Sequence, residues 1–121
     1  MKRIYLKSLP DPRLSESDPS YENNRVDYRS MIEQAVRVPL DRQNGATIDE
    51  MRKGIRVLDA LDASKDDVLS LEDADWQHLK DKVEKMPWAM VDRRFITFHD
   101  DIVGATEAPR DAQRADGVAA V

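Results

Sequence analysis

Residues 47–62 read Thr-Ile-Asp-Glu-Met-Arg-Lys-Gly-Ile-Arg-Val-Leu-Asp-Ala-Leu-Asp. Within them Ile48, Met51, Ile55 and Leu58 recur at steps of three and four, which places them in one stripe along a helix of 3.6 residues per turn. The same steps recur in Trp76, Leu79, Val83 and Met86, and again in Trp88, Val91, Phe95, Phe98 and Ile102. Three amphipathic segments in succession predict helices folded against one another, each stripe turned toward a shared core. Thr47 and Glu50 have the spacing of a capping box, in which Thr47 accepts from the amide three residues on and Glu50 reaches back. Gly54 costs on the order of 1 kcal/mol relative to Ala in a helix interior. It either admits a close neighbour or is simply tolerated, and the pattern favours the second.

Working outward, residues 26–37 repeat the pattern. Tyr28, Met31, Ile32, Ala35 and Val36 share a face, and Pro39 stops the helix. Asn44-Gly45 then marks a turn. Ser70-Leu-Glu-Asp73 resembles a cap, with acids near the positive end of the helix that follows. That helix starts near residues 71–73 and ends before Pro87. Pro87 suits the first position of a fourth helix, Trp88 to Val103, closed by Gly104. A junction of Met86-Pro-Trp leaves room only for a sharp angle or a kinked rod.

Lys2 to Lys7 alternates, with Ile4 and Leu6 on one side, as a half-buried strand does. Its best partner is Val68 to Leu71. Between Ser8 and Asn24, Pro10, Pro12 and Pro19 remove amide donors and fix φ, so an extended connection is expected with neither helix nor sheet through it. Its apolar surface is too small to offset its own ordering entropy, so a solvated loop, or an arm that orders on a partner, is expected. The fold expected is mainly α: a small domain of about four helices with a minor two-stranded β element. Residues 1–25 form the strand and proline-containing arm, 26–104 the helical domain, and 105–121 a disordered tail.

Composition limits function. The 121 residues suffice for one modest core, 36% of them are charged, and only two Phe, three Tyr and two Trp occur. The formal net charge of −5 disfavours non-specific binding to nucleic acid or anionic membrane. With no cysteine there is no disulfide or thiolate metal site. No apolar run approaches the roughly 18 residues of a membrane span, and no signal-peptide core follows Met1.

Candidate chemistry is sparse. Asp62, Ser64, Asp66, Val68, Ser70 and Asp73 fall at positions 1, 3, 5, 7, 9 and 12 of a calcium-binding loop. The glycine expected at position 6 is Asp67, however, and the bidentate Glu expected at position 12 is Asp73, so a solvated acidic loop is the expectation. His78 and His99 lack zinc-site spacing and read as exposed helical residues. Lys80, Lys82, Lys85, Arg93 and Arg94 make residues 78–97 locally basic, but a proline junction is not the turn of a DNA-reading pair of helices. Trp88, beside Pro87 at an element boundary, is expected to be partly exposed. With Arg93 and Arg94 it is the interface candidate, since Trp and Arg are over-represented at hot spots. No cofactor and no catalytic set is expected.

Residues Ser70 to Ile102, with Asp-Trp-Gln-His-Leu-Lys, Met-Pro-Trp and Phe-His-Asp-Asp-Ile, together with the stretch from Thr47 to Leu61, resemble small proteins encoded among the structural genes of tailed bacteriophages. The resemblance covers about half of the chain and carries over no functional residues. It implies a non-enzymatic subunit of virion assembly, in head, neck or tail, partnered by other phage structural proteins or by itself as a homo-oligomer. Its location would be the bacterial host cytoplasm or the virion. The alternative reading is a small acidic inhibitor or regulator of a host protein.

Overall fold

The N-terminal alternation becomes β1 (Lys2–Tyr5) in the computed structural model, which describes residues 1–107. The chain continues through β2 (Ser8–Leu9), a 3-10 turn (Glu22–Asn24), β3 (Val26–Asp27), α1 (Tyr28–Arg37), α2 (Ile48–Asp62), β4 (Val68–Leu71), α3 (Asp73–Lys85) and α4 (Arg93–Val103). The mainly α fold with four helices and a minor β element is therefore present. β1 pairs antiparallel with β4, Ile4 opposite Leu69 and Lys2 opposite Leu71. Because side chains alternate across a strand, that register turns Ile4, Leu69 and Leu71 into the core.

Three details of the expected fold are corrected. Ser8–Leu9 pairs antiparallel with Val26–Asp27, so a second two-stranded ladder does enter the proline-bearing segment. It stops before Pro10, whose nitrogen has no proton to donate. Ser70 lies in β4 opposite Arg3 rather than capping α3; the residue at that helix's N-cap is Glu72, whose side chain makes no capping hydrogen bond among the described residues. The fourth helix starts at Arg93, not Trp88, because Asp92 takes extended geometry and its carboxylate accepts from the Arg94 amide as an N-cap. Residues 86–92 form an irregular connection, so α3 and α4 are not one kinked rod.

α3 is the hub, packing against α1, α2 and α4. Tyr28, Ile32, Val57, Leu61, Leu79, Val83, Phe98 and Ile102 fill the interior with the strand residues. Tyr28 and Phe98 meet edge to face, ring centroids 5.0 Å apart, an arrangement aromatic pairs prefer. The Tyr28 hydroxyl donates to Asp101 Oδ2 at 2.6 Å, which places the polar end of a buried ring on a carboxylate. Trp76 and Trp88 are partly buried, and the Trp76 indole donates to the Ile102 carbonyl at 2.9 Å.

Arg94 ties elements together. Arg94, on α4, forms a fork with Asp92 and also donates to the carbonyls of Leu9 and Asn24, pinning both ends of the proline-bearing segment. Within that segment Asp11 accepts from the Arg13 side chain and amide, and those bonds hold its carboxyl down at about 2. Past Gly104, Ala105 is buried and Thr106 bridges Arg3, so the chain expected to be a tail still belongs to the domain there. The rest of that expected tail, residues 108–121, lies outside the described residues.

Candidate interaction surface

α2 presents two apolar faces, and the fold uses the one that the spacing did not point to. Gly54, Val57 and Leu61 are buried, whereas Ile48 is 61%, Met51 51% and Ile55 54% exposed. The expectation that the Ile48, Met51, Ile55 and Leu58 stripe faces the core is corrected: only Leu58, at the border between the faces, packs against it. At Gly54 the two helices α1 and α2 come close. A Cβ there would lie 3.1 Å from Val36 Cγ1, so the absent side chain lets α1 and α2 approach along that line. The reading of Gly54 as merely tolerated is likewise corrected.

Between α1 and α2 runs an open groove of about 440 Å³, whose apolar wall includes Val36, Pro39, Met51, Ile55 and Leu58, with Arg37 beside them. An ion pair closes its floor. Lys82, almost wholly buried, donates to Glu50 Oε2 at 2.6 Å and to the Val38 carbonyl. Glu50 also accepts from the Leu40 amide at 3.0 Å. Burial alone would raise the Glu50 carboxyl, but the bonds from Lys82 and Leu40 outweigh it and hold the group below its ordinary value. The capping box is thus half formed. Thr47 Oγ1 accepts from the Glu50 amide at 3.1 Å, while the Glu50 side chain turns to Lys82 and Leu40 instead of back to Thr47.

His78 sits at the same α2–α3 seam. The expectation that it is exposed is corrected: it is buried, and its Nε2 has no hydrogen-bond partner among the described residues. Burial, then the charge of Lys82, lowers its pKa, so the neutral ring is the form the seam accepts. His99 is partly exposed, with Nδ1 2.9 Å from Asp100 Oδ1.

The interface candidates Trp88, Arg93 and Arg94 lie around a second apolar patch. Trp88 is half-buried, its ring edge to face with Phe95 and Phe98, and Arg93 is exposed at the start of α4. Arg94 is engaged in holding the proline-bearing segment. Around Trp88, Met90 and Ile96 are each about 60% exposed and Val91 is fully exposed. These three belong to the irregular connection and the outer face of α4. That patch and the α2 stripe stand on different helices flanking α3.

The acidic loop is a tight turn. Asp66 and Asp67 both take positive φ, 56° and 57°, and the Val68 amide donates to the Lys65 carbonyl at 3.0 Å, the geometry of a type I′ turn. The Asp67 carbonyl accepts from the Leu6 amide at 2.7 Å, joining the turn to the N-terminal strand. Ser64 Oγ is taken up by Arg29 and the Leu61 carbonyl, and Val68 and Ser70 are strand residues. The candidate positions Asp62, Ser64, Asp66 and Asp73 therefore do not converge, and among the described residues no three His, Cys, Asp or Glu side chains come together as metal ligands would. No described helix is long and apolar enough to cross a membrane.

The sequence carried a signal for the outer stripe, its three-and-four spacing, but not for its direction. No family model, curated protein or solved structure matches the chain.

Proposed function

We propose that this chain is a non-enzymatic subunit that docks apolar helix faces onto neighbouring proteins during assembly of a tailed-phage particle. The observation carrying this reading is the outer stripe of α2, where Ile48, Met51 and Ile55 each remain more than half exposed on a helix whose other face fills the core. Contiguous exposed apolar side chains are costly in water, and covering them contributes about 25 cal/mol per Å². The Met90, Val91 and Ile96 patch adds a second face of the same chemistry. The phage setting rests on the resemblance of residues 47–61 and 70–102.

Density-gradient fractionation of cells producing the particles tests this, with the chain followed by mass spectrometry beside a variant carrying Met51→Glu and Ile55→Glu. The native chain is expected to travel with particles or their precursors and the variant to stay in the slow fractions. A native chain found instead on a host protein, and released from it by salt, would overturn the assembly reading in favour of an electrostatic inhibitor.

A further inference from the structure

The occupant of the α2 stripe can be read from its charges. Ile48 and Ile55 are seven residues apart, as are Met51 and Leu58, so the four fall at the a and d positions of a two-heptad stripe, three of them exposed and Leu58 at its inner border against the core. The two residues that immediately follow the d positions are Arg52 and Asp59, also seven apart, both exposed, and neither side chain has an ion-pair partner among the described residues. They therefore line one edge of the stripe with a positive charge toward its N-terminal end and a negative charge toward its C-terminal end. The opposite edge holds Thr47, Gly54 and Leu61, without charge, and the last two are buried within the domain.

We infer that the outer face of α2 docks on a second copy of this chain, the two α2 helices running antiparallel; the inference rests on the docking role proposed above and names its partner. Antiparallel pairing sets the charged edge of one helix against the same edge of the other in reverse. Arg52 of each copy then faces Asp59 of the other, twice over, by the two-fold symmetry that an isologous contact imposes. A parallel pair would set the charged edge against the edge of Thr47, Gly54 and Leu61, where no opposite charge waits. The helix dipoles also oppose one another favourably in the antiparallel arrangement. One two-heptad seam is at the small end of specific interfaces, which bury about 1,200 Å² or more in total, so the concentration series must extend to high protein concentration.

Sedimentation equilibrium of the full chain over a concentration series tests the pairing, with circular dichroism to show that each variant keeps its helices. The native chain is expected to reach a dimer. Arg52→Glu alone and Asp59→Lys alone place like charges across both contacts and weaken it about tenfold, and the two together return it to near the native value. Met51→Glu with Ile55→Glu abolishes it. A native chain monomeric at every concentration overturns the inference, and so does a dimer that the double charge reversal fails to restore. If self-association fails while the Met51 and Ile55 variant is still lost from particles in the gradient, the docking reading stands with another protein as occupant; if both fail, both fall.

Discussion

On the side of α2 that meets α1 and α3, Val57 and Leu61 are removed from water; on the outward side Ile48, Met51 and Ile55 keep more than half of their surface. Both sets of side chains are apolar and the helix is the same. What separates the faces is the neighbour each was given: α1 comes in over Gly54, and Lys82 of α3 reaches Glu50 beneath the groove. The inner face contributes to folding, whereas the outer face keeps its apolar surface in water. An apolar stripe is therefore evidence that something is covered, not evidence that the chain itself covers it.

The largest test of that contrast sets Leu61→Ala against Ile55→Ala. Removing Leu61 leaves a cavity in a closed interior and is expected to cost about 3 kcal/mol in urea unfolding, whereas Ile55→Ala, measured on the monomer, is expected to change stability by about 0.5 kcal/mol or less. Comparable losses at both sites would break the comparison, because the outer face would then be serving the fold.

Next comes the clamp beneath the groove. Lys82→Met leaves Glu50 without its cation and the Val38 carbonyl without its donor, and an expected loss of about 2–3 kcal/mol follows from stranding a largely buried charge. Glu50→Leu combined with Lys82→Met removes both charges and is expected to regain most of that loss, since a buried pair replaced by apolar groups is often near neutral. A double variant no better than Lys82→Met would assign the clamp's value to the Val38 and Leu40 contacts instead of to the pair.

Acid probes the same seam with a smaller effect. His78 has a folded pKa below its ordinary 6.5, so the unfolded chain binds the proton more readily and stability is present above that value and lost as pH falls below it. Around the ring stand Lys82 and Asp81 of its own helix and Glu50 and Lys53 of α2. Protonation would add a cation beside Lys82 with no acceptor at Nε2. The Tm is expected to fall as pH drops below the ordinary histidine value of 6.5, and the slope to flatten in His78→Leu. Glu50, held below its ordinary 4.5, adds a further loss only at lower pH, as the carboxylate is protonated. An unchanged slope in His78→Leu would remove His78 from the account.

The smallest effect is expected at Gly54→Ala. Alanine gains about 1 kcal/mol of helix propensity and meets Val36 at 3.1 Å, so the two effects oppose each other and the net change stays within about 1 kcal/mol of zero. A loss well beyond that would show that Val36 cannot yield and that the approach of α1 is what fixes which face of α2 turns inward.

Much of the fold was legible because local chemistry is dense in this chain. Alternation in residues 2–7 and a short apolar stretch at 68–71 marked both strands of the first ladder, and Thr47 and Pro39 bounded helices through hydrogen bonding and φ restriction that depend only on near neighbours. The start of α4 was misplaced because Pro87 suits an N1 position while Asp92 wins the cap with its own carboxylate. Ser8–Leu9 was missed as a strand because its partner, Val26–Asp27, lies across the prolines. The candidate surface was half visible: the stripe Ile48, Met51, Ile55 and Leu58 stood out, but periodicity gives an angle around a helix and not a direction in space. Of the interface candidates, Arg94 could not be told from a free arginine, because the carbonyls it holds belong to residues 9 and 24.

By itself, then, the sequence determined four helices, their polar and apolar sides, and the charge pattern Arg52 and Asp59 along one edge of α2, since all of these follow from spacing within a single element. Tertiary structure decided which side of α2 became core, that His78 and Lys82 went inside, and that the loop at residues 65–68 closed as a tight turn instead of gathering its carboxylates. Those outcomes depend on which surfaces meet across long separations in the chain, and burial rewards total apolar area removed from water without regard to which stripe supplies it.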